Sequence, residues 1–104
     1  MSISERYRQL VADLVATVKQ IEDENASDRA LKVLRNGVKL LKEQEESIGE
    51  IPRIRIEQHL SPILLDAHNL LDRARLLLAE DGAETSADRV WDIQQMLYRL
   101  LNDL

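Results

Sequence analysis

A leucine-rich stretch from Ser61 to Glu80 constrains the fold of this chain more than any other feature. At about 100° per residue, its apolar positions fall within roughly a third of the circumference of a helix. An apolar arc of this width contacts two neighbouring helices, so the stretch predicts a helix inside a bundle. Ser61-Pro62 is a typical helix start, and Asp81-Gly82 is a typical end. The apolar positions around this arc are Leu60, Ile63, Leu64, Ala67, Leu70, Leu71, Ala74, Leu77 and Leu78.

Three further helices follow from the same three- and four-residue spacing of apolar side chains. Ser2-Ile3-Ser4-Glu5 matches a capping box, which predicts a helix start near Ile3. Thr85-Ser86-Ala87-Asp88 resembles a second capping box before the last helix. Gly49 closes the second helix, and Ile51-Pro52 prevents its continuation. The predicted helices lie near 3–23, 28–48, 53–81 and 86–103.

The segment 53–60 leaves two interpretations open. It is either an extended connection or a helical turn that runs into the leucine-rich helix. We favour the helical interpretation, because Ile56 and Leu60 continue the apolar arc of that helix.

These elements predict an all-α chain. Three glycines, two prolines and the absence of a long alternating run disfavour β-hairpins. Helices of similar length with short connections favour antiparallel neighbours. The prediction is an antiparallel up-down-up-down four-helix bundle of two helical hairpins, with an optional kink at Pro62, as a single domain over 1–104. Gly37, inside the second helix, costs about 1 kcal/mol relative to alanine, so we expect another helix to pass close over it.

The composition disfavours several classes of function. A net charge of −5 and a pI near 5.0 disfavour nucleic-acid binding, and only three aromatic residues are present to stack on bases. No cysteine is present to form a disulfide, a thiolate nucleophile or a metal site. No apolar run is long enough for a membrane span, and the first residues lack the order of a signal peptide. We expect a cytoplasmic protein that binds no nucleic acid, membrane, metal or cofactor.

The two histidines, His59 and His68, are the natural starting point for a catalytic hypothesis. They are nine residues apart, which places them on opposite sides of one straight helix, so they cannot share a metal ion without a break at Pro62. His68 lies at the edge of the apolar arc, one turn before Asp72, and we expect Asp72 to orient its imidazole. Packing explains both histidines, so we expect no enzyme.

The stretch AHNLLDRA at 67–74 resembles the phosphoacceptor stretch of histidine phosphotransfer domains, in the order Ala67-His68-x-Leu70 and in the later Ala74. The lysine and glycine that this family places after the leucine are Leu71 and Asp72 here. The resemblance implies a helical signalling domain with His68 as the phosphoacceptor. A nearby aspartate would repel an incoming phosphoryl group.

Two other resemblances involve the same half of the chain. A proline early in a leucine-rich helix, then a loop and the closing MLYRLLNDL, resembles the dimerisation hairpin of sensor histidine kinases. Glu57 stands five residues before Pro62, where that family places its histidine. Arg53 and His59, separated by five residues, resemble the arginine–histidine pair of HEPN ribonucleases, which implies RNA cleavage.

Four large apolar side chains lie off the predicted core: Leu65 and Leu76 on the third helix, Trp91 and Tyr98 on the fourth. Regularly spaced exposed apolar groups indicate protein contact. We therefore predict a non-enzymatic adaptor or regulator that binds another protein, a second copy of itself as a homodimer, or both, through these residues. The alternative site for an anion or partner is a basic edge on the second helix, formed by Arg29, Lys32, Arg35, Lys39 and Lys42.

Overall fold

Four α-helices make up the fold, as the apolar spacing predicts. The computed structural model describes residues 2–104 apart from the side chain of Arg53. The helices are α1 (Ile3–Asp23), α2 (Asp28–Lys42), α3 (Ile56–Glu80) and α4 (Glu84–Asn102), and two 3₁₀ helices, Ile48–Glu50 and Arg53–Arg55, lie between α2 and α3. No β-strand occurs in residues 2–104, so the all-α prediction is confirmed.

Serine side chains start the first two helices. The Ser2 hydroxyl accepts a hydrogen bond from the Glu5 amide at 3.2 Å, which confirms the serine half of the first capping box. The Glu5 carboxylate accepts from the Ser2 hydroxyl at 3.2 Å rather than from the Ser2 amide. Ser27 accepts from the Ala30 amide at 3.4 Å and starts α2. The second capping box, predicted at 85–88, is wrong. The helix α4 begins at Glu84 without a side-chain cap, so Thr85, the capping residue of that box, already lies inside the first turn. The buried Ser86 hydroxyl donates to a Glu24 carboxylate oxygen at 2.8 Å.

The predicted end of α2 is also wrong, because the helix stops at Lys42 rather than at residue 48. Turns at 43–47 follow before the first 3₁₀ helix. Glutamates at 43, 45 and 46 lie next to the negative end of the helix dipole, where they are unfavourable. The chain leaves the helical path there, and Ile48 is buried in the core.

The helical interpretation of 53–60 is confirmed, since α3 begins at Ile56 after a short 3₁₀ turn. Ser61-Pro62 is therefore not the helix start. Pro62 lies in the second turn of α3, where its ring removes one backbone donor from the helical hydrogen-bond pattern. Gly82 ends the helix as predicted, with a left-handed φ of 79°.

The helices form a four-helix bundle of 43 × 20 × 20 Å, in which α1 and α3 each contact both α2 and α4. Ion pairs join opposite ends of neighbouring helices. Arg6 at the start of α1 lies 2.9 Å from Asp103 at the end of α4. Arg29 at the start of α2 lies 2.8 Å from Asp81 at the end of α3. Such contacts are typical of antiparallel neighbours.

The core lies along the bundle axis and is mainly leucine. At Gly37, α3 packs against α2, as predicted, but the approach does not require glycine: an added Cβ atom would lie at ordinary van der Waals distances, 3.7 Å from the Leu71 Cδ2 atom and 4.0 Å from the Leu70 Cβ atom. None of the helices in residues 2–104 has the length and apolar character needed to cross a membrane. The fully buried leucines include Leu10, Leu14, Leu34, Leu41, Leu60, Leu64, Leu71, Leu78 and Leu97.

Candidate interaction surface on α3 and α4

The four apolar side chains that lie off the predicted core are exposed in the bundle. Leu65 and Leu76 are each 50% exposed, Trp91 is 47% exposed and Tyr98 is 51% exposed. The other exposed large apolar side chains in residues 2–104 are Val15, at 37%, and Ile54, at 89%, which belong to other parts of the surface. We call the surface of Leu65, Leu76, Trp91 and Tyr98, together with the polar side chains between them, the α3–α4 face.

Helical geometry places each apolar pair on one line. Leu65 and Leu76 are eleven residues apart on α3, which leaves an angular offset of about 20° and a separation of about 16 Å along the axis. Trp91 and Tyr98 are seven residues apart on α4, with a similar offset and a separation of about 10 Å. The face therefore has an apolar stripe on each of two adjacent helices.

Three side-chain contacts connect α3 to α4 beneath this face. The His68 and Tyr98 ring centroids are 6.5 Å apart. The Gln94 amide Nε2 donates to the Asp72 Oδ1 atom at 3.2 Å. The Arg75 guanidinium lies 5.2 Å from the Trp91 ring centroid, within the range of a cation–π contact.

These contacts define an antiparallel register. Each step of three or four residues forward along α3, from His68 to Asp72 to Arg75, is matched by an equal step backward along α4, from Tyr98 to Gln94 to Trp91. The two aromatic side chains of α4 are thus held against charged or polar side chains of α3.

Asp72 is the centre of the polar contacts. Its Oδ1 atom accepts hydrogen bonds from the Arg75 Nη2 atom at 2.7 Å and from Gln94. The hydrogen bond from Arg75, and then that from Gln94, hold the pKa of this carboxyl below its ordinary value. The prediction that Asp72 orients His68 is wrong, because the carboxylate binds Arg75 and Gln94, and His68 instead lies beside the Tyr98 ring.

Gln94 was missed in the sequence analysis. Its side chain is fully buried, although it lies on the helix flank that also contains Trp91. The Gln94 Oε1 atom and the Arg75 Nε atom are buried without a hydrogen-bond partner among the described residues. The sequence signal that could have identified Gln94 is its position three residues after Trp91. At that spacing a side chain lies on the same flank of the helix as Trp91 but closer to the core.

The basic edge of α2 is only partly available to a partner. Arg29 binds Glu80 at 3.2 Å and Asp81 at 2.8 Å, and its hydrogen bond lowers the pKa of Asp81. Arg35 binds Glu22 at 3.2 Å. Two of the five basic groups therefore connect helices of the bundle. Within residues 2–104, no ion pair within 4.0 Å involves the exposed lysines of this edge, Lys32, Lys39 and Lys42.

The two histidines lie apart. His59 is exposed near the start of α3, and its Nε2 atom is 2.8 Å from the Gln44 Oε1 atom. His68 is half-buried in the α3–α4 face. Glu57, at the histidine position of the kinase hairpin, is exposed, and the side chain of Arg53 lies outside the described part of the chain. Among the described residues, no group of three or more histidine or carboxylate side chains could hold a metal ion.

Comparison with known proteins gives no relative: no protein-family model, no curated protein and no solved structure matches the chain.

Proposed function

We propose that this chain is a non-enzymatic interaction module that binds a protein through the α3–α4 face. The observation that carries the proposal is the exposure of Leu65, Leu76, Trp91 and Tyr98 on one surface of two adjacent helices. Half-exposed tryptophan and tyrosine, with leucine around them and an arginine beside them, have the composition of the centre of a protein interface. Contact of these apolar side chains with water is unfavourable, and a bound partner would remove that contact.

The contacts beneath the face support the same proposal. Trp91 is held by Arg75 and Tyr98 lies beside His68, so both aromatic side chains are already positioned before binding. A surface that is ordered in advance loses less conformational entropy on association, which favours affinity. Asp72 and Gln94 fix the two helices at the level between these aromatic groups.

The test is a pull-down from lysate of the source cells with the whole chain, compared with Leu65→Glu and Tyr98→Glu. Both positions are half-exposed, so the variants should stay folded by circular dichroism and lose the bound proteins. The matched control is Ile54→Glu, a charge placed on an exposed apolar side chain away from the face. If both folded variants recover every partner that the wild type recovers, the face is wrong, and Lys32, Lys39 and Lys42 become the next candidate site.

A phosphorelay role for His68 is the second candidate function, because His68 lies partly exposed on an outer helix flank of a four-helix bundle. The two functions differ in what they require of this side chain. An interaction module tolerates His68→Gln, whereas a phosphotransfer domain loses all acid-labile phosphate incorporation. The cytoplasm remains the expected location on the sequence grounds given above.

A further inference from the structure

Four of the exposed residues of α3 are arranged nearly symmetrically about one level of the helix. Leu65 and Leu76 have their midpoint between residues 70 and 71, and Asp66 and Arg73 have theirs between residues 69 and 70. The two midpoints differ by one residue, which is about 1.5 Å along the helix. All four side chains are exposed.

The charges of this arrangement are opposite and unpaired. Asp66 and Arg73 lie seven residues apart on the same side of α3, about 90° around the helix from Leu65. Among the described side chains, which do not include that of Arg53, neither Asp66 nor Arg73 takes part in an ion pair within 4.0 Å. Each is therefore available to a group outside the protomer.

The aromatic pair on α4 is centred at the same level. The midpoint of Trp91 and Tyr98 lies next to Gln94, and Gln94 binds Asp72 across the helix pair. In the antiparallel register of α3 and α4, this level is within about one residue of the midpoint of Leu65 and Leu76. The midpoints of the two apolar pairs and of the charged pair thus lie within about two residues of one another, or about 3 Å along the helix axis.

We propose that the occupant of the α3–α4 face is a second copy of this chain, related by a two-fold axis that passes close to these midpoints, perpendicular to the helices. This inference rests on the proposed function and specifies its partner. With the two α3 helices antiparallel, Leu65 meets Leu76 of the second copy and Asp66 meets Arg73 of the second copy. On α4, Trp91 meets Tyr98 of the second copy.

A two-fold interface requires one patch that is complementary to itself, and the positions of these residues satisfy that requirement. Each contact occurs twice, because the axis exchanges its two partners. A parallel arrangement in the same register would place Asp66 against Asp66 and Arg73 against Arg73, which is repulsive. The opposite charges therefore select the antiparallel dimer.

The experiment is sedimentation equilibrium of the whole chain with the charge-reversal variants Asp66→Arg and Arg73→Asp. Each variant alone places two like-charged pairs face to face in its dimer. Its dissociation constant should therefore rise about tenfold or more relative to wild type. Mixed in equal amounts, the two variants restore both opposite-charge contacts. The mixture should form a heterodimer with an affinity within about threefold of the wild-type dimer.

The matched controls are Glu46→Arg and Lys19→Asp, which change the net charge by the same amounts at exposed positions away from the face. These controls, alone or mixed, should dimerise as the wild type does. Recovery in the mixture also shows that each variant of Asp66 and Arg73 is folded, because a misfolded chain could not regain affinity from its counterpart.

Three results would overturn the second-copy inference: a wild-type chain that stays monomeric at about 1 mM, single variants that dimerise like wild type, or a mixture that stays as weak as its components. The proposed function fails by a different result, in which the folded Leu65→Glu and Tyr98→Glu variants recover every partner that the wild type recovers. If the wild type is monomeric and Leu65→Glu still loses proteins in the pull-down, the face binds another protein, and only the second-copy inference is wrong.

Discussion

Tyr7 is a fully buried aromatic side chain whose hydroxyl connects two helices. It donates to the Leu41 carbonyl oxygen at 2.6 Å, near the end of α2. Burial, and then the charge of Glu45, raise the pKa of Tyr7 above its ordinary value of 10.0. The neutral phenol is thus favoured in the folded chain, whereas the unfolded chain ionises at its ordinary pKa. The fold therefore loses stability as the pH rises above about 10.

Tyr7→Phe removes this hydroxyl and keeps the ring. At pH 7 the free energy of unfolding should fall by about 1 kcal/mol, the usual net effect of one buried hydrogen bond. Above pH 10 the difference should shrink, because only the wild type is penalised by ionisation of the unfolded chain. Urea unfolding at a series of pH values measures both effects. A difference that stays constant up to pH 11 would contradict the role assigned to the buried phenol.

Asp72 should give folding stability the opposite dependence on pH. Because the hydrogen bonds from Arg75 and Gln94 lower its pKa, its contribution to stability is present above the ordinary value of 3.8 and is lost as the pH falls through the lowered pKa. Asp72→Asn should be less stable than wild type at pH 7 and equally stable near pH 2. Thermal unfolding against pH measures the difference. An equal difference at both pH values would show that the carboxylate charge contributes nothing.

The residues of the α3–α4 face could be only partly predicted from the sequence. Leu65, Leu76, Trp91 and Tyr98 were identified because their positions depend on periodicity within one helix. The contacts of Asp72 with Gln94 and of Arg75 with Trp91 depend instead on the register between two helices. That register is set by packing along the whole bundle, so no local pattern predicts it.

At the scale of the helices, α2 and α3 approach each other at Gly37. An added methyl group would lie 3.7 Å from the Leu71 Cδ2 atom, which is an ordinary van der Waals contact. The position therefore tolerates a side chain, while glycine lowers helix stability by increasing the freedom of the unfolded chain.

Gly37→Ala should raise the free energy of unfolding by about 0.5–1 kcal/mol. Gly82→Ala is the control, because the φ of 79° at this position is unfavourable for alanine. This substitution should make the protein less stable by about 1–2 kcal/mol. Urea unfolding of both variants measures the two changes. Loss of stability in Gly37→Ala would mean that the helices are packed more tightly there than the 3.7 Å distance indicates.

The helix ends show where sequence patterns stop being informative. The apolar arcs of α1 and α3 continue through both helices, so their extents were nearly correct. The apolar pattern of α2 runs on to Ile48, which is indeed buried, but the chain reaches that position through turns and a 3₁₀ helix. Thr85 matched a cap by residue type, but α4 begins one residue before it, at Glu84. Periodicity predicts burial, not the local path of the backbone.

At the scale of the whole molecule, the bundle buries one leucine core and leaves a second apolar surface on α3 and α4. The fold class follows from four amphipathic segments and few glycines or prolines, because such a chain can bury its apolar faces only by packing helices together. Packing of the core does not require the apolar side chains of the second surface, because they lie outside the core. We propose that a bound protein covers this surface.

Acrylamide quenching of Trp91 fluorescence over a dilution series tests this conclusion most directly, because Trp91 is the one tryptophan of the chain and lies in the α3–α4 face. Sedimentation of the same samples gives the fraction of dimer, and Leu65→Glu is the monomer reference. We predict that quenching falls and emission shifts to shorter wavelength as the dimer forms. A dimer that leaves Trp91 as accessible as in the monomer reference, or a wild type that stays monomeric at about 1 mM, would contradict the second-copy contact at this face.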